Sequence, residues 1–415
     1  MSSSSRVVIH AFVSSWMTLL VGLLAFRANG VAALTLDATE LPQSAVSSAT
    51  AYYVGQLLET GGASILKYDL DGNLDPKFVA PSYNNVRGLA INQDNTQLWV
   101  AHDGGVAELV FEMDDNNETL GLVEQRLYNL IAIGGMYASL PTPHGLCLSP
   151  DEASLYVTDP STHALLQIDL ASQSKTVTFL FYNNTALEPM GCVVSDDNDV
   201  VWVIHRNEAG LTRVQKSTGA VGRETEPWAQ IIAEQTSQAD MAGHGIVLWN
   251  DNAVLLWNGN NDNMDANTTN SSSSSGSSSL FVSIYMTSET PPFLGILYRC
   301  DIMLNILTGC VEFARGEQVV AADLQLDTKT PNQPQLIFPN FMDHNVSILP
   351  IRMEGDIIVL EGLVDEEDET MAENATASDK ESSSHDTSSA NMQPLWRIWQ
   401  VGSSMVVVGV LVTAL

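Results

Sequence analysis

The chain has 415 residues, 45% of them apolar, and sets 17 Lys and Arg against 49 Asp and Glu for a net charge of −32. That balance excludes nonspecific binding to nucleic acid, whose phosphates would repel it, and favours solubility, divalent cations or cationic partners. Four cysteines are too few to frame a chain this long, although an even number suits an oxidising compartment.

The N-terminal residues 1–33 carry Arg6, an apolar run from Ala11 to Phe26 and small residues ending at Val31-Ala32-Ala33. This is the layout of a secretory signal peptide. The alternative is an uncleaved anchor, for which the run is shorter than the roughly 20 residues a spanning helix needs.

From residue 38 to 363 one unit recurs: an apolar strand, a turn rich in Asp or Asn, a second strand ending in a polar residue, then a third strand. The clearest copy is Pro143-His144-Gly145-Leu146-Cys147-Leu148, followed by Leu155-Tyr156-Val157-Thr158-Asp159 and Ala164-Leu165-Leu166-Gln167-Ile168-Asp169-Leu170. In chain order the other copies open at Leu41-Pro42-Gln43-Ser44, Arg87-Gly88-Leu89-Ala90, Met190-Gly191-Cys192, Gly243-His244-Gly245-Ile246 and Ala322-Asp323-Leu324. Their second strands are expected at Tyr52–Gly55, Leu98–His102, Val201–His205, Leu255–Asn258 and Leu336–Pro339. No such strand buries both faces alone, but sheets stacked radially do. The expected fold is therefore all-β, a six-bladed β-propeller with four-stranded antiparallel blades; five or seven blades are the alternatives. Trp99, Trp202 and Trp257 occupy one second-strand position and read as packing between blades.

A Ser/Asn tract at residues 267–279 interrupts the fifth copy and reads as a disordered surface insertion. Sequons at Asn117, Asn183, Asn267, Asn270, Asn345 and Asn374 agree with passage through the secretory pathway and expected glycosylation. Cys300 and Cys310 flank a short segment and are expected to bridge. Cys147 and Cys192 fall one residue apart in register, on opposite faces of neighbouring inner strands, so either a bridge or two buried thiols fits.

Residues 364–390 form an acidic Ser/Thr-rich stalk: Asp365 to Asp386 holds nine acids against Lys380 alone. In residues 391–415 a spacer leads to an apolar tail from Val401 to Leu415. Small residues, spacer and terminal tail are the layout of a cleaved glycolipid-anchor signal, with Ser388, Ser389 or Ala390 as the attachment region; a tail-spanning helix is the alternative.

In a propeller the loop entering the inner strand and the loop after the second strand open on one face, around the central channel. His144 and His244 sit at the first kind of loop, and His102, His163, His205 and His344 at or near the second. Imidazoles gathered there can ligate Zn or act as bases near neutral pH. Asp103, Asp159, Asn258, Asn260, Asp343 and Asn345 share these loops and offer oxygen ligands for Ca. For each of these residues the plainer role is capping a turn. The expected partner is a small molecule or protein ligand taken by a monomeric propeller, with the membrane reached through the tail.

The copy at Pro143 to Leu170 resembles an NHL repeat, and also blades of the SMP-30/gluconolactonase group. Within the NHL class, the peptidyl-hydroxyglycine amidating lyases carry a Pro-His-Gly-Leu-like motif in alternate blades, whose three histidines hold a catalytic zinc. The resemblance places such ligands at His144 and His244, while the third alternate blade offers Gln43, a poor zinc ligand, which leaves His102 or Asp343 on the rim to substitute. That family's catalytic arginine follows a histidine, and His205-Arg206 is similar to the pair in a different blade order. The gluconolactonases have a metal-binding Asn where His144 stands, and no early Glu-Gly-Pro ligand segment is visible here. The leading expectation is a cell-surface binding module using its His/Asp-rich face; the alternative is a metal-dependent lactonase or lyase on that face.

Overall fold

The computed structural model describes residues 34–37, 40–58, 64–103, 105–114, 119–130, 141–172, 176–181, 188–218, 220–223, 228, 240–250, 278–287, 294–316, 320–328, 334–340, 344–354 and 357–360. The expected signal peptide, stalk, tail and attachment residues lie outside them, as do Asp343, Trp257 and all the sequons except Asn345. Among the described residues no helix is long and apolar enough to cross a membrane.

Six antiparallel sheets follow one another along the chain and make a six-bladed propeller. Strand β1 (Leu34–Asp37) precedes blade 1, which holds β2 (Leu41–Ser47), β3 (Ala51–Leu57) and β4 (Ile65–Asp69). Blade 2 holds β5 (Gly88–Ile91), β6 (Gln97–His102), β7 (Gly105–Met113) and β8 (Thr119–Asn129), and blade 3 holds β9 (Leu146–Leu148), β10 (Ser154–Asp159), β11 (Ala164–Asp169) and β12 (Val177–Phe181). Blade 4 is β13 (Pro189–Val194), β14 (Val200–His205), β15 (Leu211–Gln215) and β16 (Val221–Arg223). Blade 5 is β17 (Asp240–Asn250), β18 (Ser278–Thr287), β19 (Leu294–Met303) and β20 (Ile306–Gly316). Blade 6 is β21 (Gln325–Asp327), β22 (Gln335–Asn340) and β23 (Asn345–Glu354), with β24 (Ile357–Leu360) after it.

Alternation along each strand sends neighbouring side chains to opposite faces, and each face meets the next blade. On β22, Leu336 joins Val247, Phe281 and Leu297 of blade 5, whereas Ile337 joins Ala45, Tyr52 and Val54 of blade 1. Six separate apolar clusters result, one in each seam between blades. Trp99 and Trp202 lie in two of these seams, as expected. Their position on the second strand, opposite the residue two past the inner-strand Gly, is filled in the other blades by Tyr53, Tyr156, Phe281 and Leu336.

Turns at the ends of the inner strands follow the expected Asp/Asn chemistry. Ser149 and Ser195 accept from the backbone across the turn and donate to Asp151 and Asp197 at 2.6 Å. Glu152 and Asn198 take the left-handed backbone each turn requires, at φ 53° and 60°.

Three expectations are corrected. The strand paired with the His244 strand is Ser278–Thr287, not Leu255–Asn258; the ladder runs unbroken at both sides of its bulge, because Phe281, Val282 and Ile284 supply the buried faces the seams require. The Ser/Asn insertion accordingly gives up Ser278 and Ser279, which belong to β18, and Ser279 is buried. The propeller also begins before residue 38: β1 pairs with β23, Leu34 to Asp37 against Ile348 to Asn345, so the N-terminal strand completes the last blade. Leu36 is fully buried there against Val346 and Ile348 in the seam between blades 6 and 1.

Both cysteine pairs are bridged. Cys300 and Cys310 stand directly opposite each other on β19 and β20. Cys147 and Cys192 join the inner strands of blades 3 and 4, the opposed faces having met across the seam.

Candidate functional site

The residue before each inner-strand Gly, or its equivalent, forms a ring: Gln43, Arg87, His144, Met190, His244 and Asp323. Local backbone aims it. In blades 1, 4 and 5 the ladder slips between Pro42 and Ser44, Pro189 and Gly191, and Gly243 and Gly245, so Gln43, Met190 and His244 are bulge residues left outside the pairing. The following Gly lets blades close up: a Cβ on Gly88 would lie 1.9 Å from the His144 carbonyl oxygen, and one on Gly145 2.3 Å from that of Met190. Blade 1 has Ser44 instead, whose hydroxyl donates to Asp323 Oδ2 at 2.6 Å and accepts from the Leu89 amide at 3.1 Å. One side chain thus links blades 6, 1 and 2.

His144 and His244 are brought together across the ring, with centroids 5.9 Å apart and edge to face. Tyr285 on β18 stands 5.0 Å from His244. Both imidazoles are buried, and burial holds them below their ordinary range. For His144 the shift is large, with His244, Arg206 and Arg87 adding to it; His244 falls to about 3, with Arg206 adding to burial. Arg206 follows β14 and pairs with Glu188 at 3.9 Å. Arg87 instead closes on Asp103 at 2.6 Å. Three residues further along the inner strands, Val46, Ala90, Cys147, Val193, Val247 and Leu326 line a cavity of about 210 Å³.

Several other expected residues take structural roles, while Asp343, Asn258 and Asn260 lie outside the described residues. His205 is fully buried and its Nε2 pairs with Thr212 Oγ1 on the next strand of its own blade, so it is separated in role from Arg206 beside it. His102 stacks on Tyr83 at 4.5 Å, and burial lowers it. Asp159 caps its turn, accepting from Thr142, Ser161 and Thr162. Asn345 opens β23 opposite Asp37 and Asn340. Gln43 turns its amide nitrogen to the Pro42 carbonyl at 3.2 Å. Tyr285 and Asp323 were not singled out from the sequence: Leu280 to Met286 reads as a strand after the insertion but not as the partner of the His244 strand, and no Gly follows Asp323, although aligning Ala322-Asp323-Leu324 with Pro143-His144-Gly145 marks the position.

Zinc or calcium is what the resemblances imply for this face. Among the described residues no group of three His, Cys, Asp or Glu converges. His144 and His244 are two ligands with a guanidinium acting on both, and the third alternate position, Gln43, is held by its own backbone. The described residues alone do not complete a divalent-cation site; Asp343, Asn258 and Asn260, expected to offer ligands, lie outside them.

No family model matches the chain, and no curated protein does. Solved structures similar to it include a periplasmic gluconolactonase from Pseudomonas aeruginosa, at 11% identity and TM-score 0.48 over 76% of this chain and 83% of that one. A protein from Lactobacillus plantarum matches at 14% and 0.48 over 80% and 86%, and a candidate 6-phosphogluconolactonase from Bacteroides uniformis at 11% and 0.47 over 77% and 84%. Likenesses this distant carry no inference about activity, and the propeller assignment stands on the sheet topology described above.

Proposed function

We propose that the chain is a secreted binding module, held at the cell surface through its C-terminal segment, that takes its ligand at the channel mouth. One observation carries this reading: His144, His244 and Tyr285 converge on the inner ring, while His102 stacks on Tyr83 and His205 pairs with Thr212. A few convergent polar groups are what orients a small ligand.

The test starts from expressing cells. A phosphoinositide-specific phospholipase is expected to release the protein, and retention would instead favour a spanning tail. Released protein then meets a thermal-shift panel of sugars, sugar acids, amino acids and short peptides. At least one compound is expected to raise the unfolding midpoint saturably, and His144→Gln to abolish that shift. A shift that persists in the variant places the ligand elsewhere and overturns the reading.

A hydrolase on the same face is the second reading. It draws on two imidazoles 5.9 Å apart, neutral at pH 7, although burial leaves each a weak base. Lactone hydrolysis lost in His144→Gln would select it.

A further inference from the structure

We infer that the channel holds a second binding site beyond the ring, at its end nearer the inner-strand turns, for a small uncharged molecule: one aromatic ring in size and carrying a single hydroxyl. The site shares no residue with the ring and stands whatever the ring binds.

The inner strands come closest at the glycines that follow the ring residues. A Cβ on Gly88, Gly145 or Gly191 would meet a backbone carbonyl of the next blade at 1.9, 2.3 or 2.6 Å. Two residues past the glycines the strands stand apart, and the cavity of about 210 Å³ opens there between all six blades. Ser47, Ile91 and Leu148, one residue nearer the turns, also line it. Every lining residue follows the glycine, or its equivalent, of its own blade, so the cavity lies on the far side of that constriction from His144 and His244. The Cys147–Cys192 bridge ties two of its walls covalently, which keeps the space preformed and lowers the entropy cost of filling it.

The chemistry of the walls sets the class. None of the lining side chains carries a charge, although the chain as a whole has 49 acids. An ion placed there would lose its water with no counter-charge to replace it. The walls are aliphatic apart from Ser47, Gln325 and the bridged cysteines. They are not wholly apolar, because each inner strand is the edge of its sheet. Alternate N–H and C=O groups of an edge strand point away from its ladder, here towards the channel. Near the ring such groups are met from the neighbouring blade, as the Leu89 amide is by Ser44 and the Met190 carbonyl by Thr158. Within the cavity Gln325 donates its amide nitrogen to Asp323 Oδ2 at 3.1 Å, which leaves its oxygen to accept. A hydroxyl, which both donates and accepts, suits walls that offer both kinds of group. Size follows from volume: an apolar cavity of about 150 Å³ takes benzene, so about 210 Å³ admits one such ring with a substituent.

Calorimetric titration of the purified protein at pH 7 with phenol, benzene and benzoate tests the site. One phenol per chain is expected, bound about two- to tenfold more tightly than benzene, the factor of one hydrogen bond. Benzoate, which would bury an unmatched charge, is expected to bind at least about tenfold more weakly than phenol. Val193→Phe is expected to fill the cavity and abolish phenol binding; Val193 is only partly buried, so the variant is expected to keep the fold. Should its unfolding midpoint fall, a crystal of the parent grown with 4-bromophenol locates the site instead, with the bromine expected between the inner strands beside Val46 and Val193. His144→Gln is expected to leave phenol binding unchanged, which separates this site from the ring. Absence of saturable phenol binding, benzoate or benzene bound as tightly as phenol, a bromine outside the channel, or phenol binding lost in His144→Gln overturns the inference.

Discussion

At the scale of single residues, the ring position shows how one site in a repeat carries different chemistry without disturbing the blade. Gln43, Met190 and His244 sit on bulges, free of the ladder, so a substitution there alters the channel and leaves strand pairing intact. His144 and His244 were legible in the sequence as a pair because the motif repeats two blades apart. Their neighbour Tyr285, on the strand beyond the Ser/Asn tract, was not singled out. Burial of the two imidazoles has a cost in acid. Each is neutral when folded but protonates in the unfolded chain below its ordinary value of 6.5. Their contribution is therefore complete above about pH 6.5 and is lost as the pH falls towards about 3, the depressed value for His244. The expected slope is up to about 1.4 kcal/mol per pH unit for each histidine. Urea unfolding between pH 7 and 4 checks it, with His244→Gln expected to flatten the curve; an unchanged slope would mean that His244 is not buried neutral. Asp323 acts in the opposite sense, since a carboxyl raised by desolvation favours the fold when protonated and loses that contribution as the pH rises through its raised value.

At the scale of elements, the inner strands and their turns were readable because their rule is local. Apolar residues alternate, a Gly marks the close approach, and Ser, Asp and Asn close the turn. The same rule misplaced one strand. Leu255–Asn258 has the right composition at the right spacing, but β17 pairs with β18, and only partner strands across the seam decide which apolar run lies beside it. The disulfides divide similarly. Cys300–Cys310 follows from ten residues of separation in a hairpin, while Cys147–Cys192 depended on two blades meeting at a particular register. Loop-closure entropy favours the longer link, at about 4 kcal/mol for a separation of 45 residues against about 3 for a separation of 10. Cys147→Ser with Cys192→Ser is thus expected to lower the unfolding free energy more than Cys300→Ser with Cys310→Ser, measured in urea without reductant. The reverse order would indicate that the hairpin bridge relieves a larger native cost than chain entropy describes.

For the whole molecule, ring closure is the central fact. Five seams join blades that are adjacent in sequence; the sixth joins the last blade to the first, and it is made by Leu36, Ala45, Tyr52 and Val54 against Ile337, Val346 and Ile348. Strand β1 belongs to blade 6 while preceding blade 1 in the chain, so it clasps the ring, reinforced by Ser44 on Asp323. Deleting Leu34 to Asp37 removes a fully buried Leu and its ladder, and is expected to destabilise the fold by at least about 3 kcal/mol. Leu36→Ala is expected to cost about 2–5 kcal/mol by the cavity it leaves. Urea titration measures both, and a deletion without effect would show that β1 is not the clasp. By itself the sequence determined the repeat, the all-β class and the two histidines, with six blades favoured over five or seven, because strand alternation and turn chemistry are read within a few residues. Which strand pairs with the His244 strand, which segment closes the ring, and how near His144 and His244 come to each other were decided only in three dimensions. Each depends on residues far apart in the chain whose contact exists once neighbouring blades bury their faces against one another.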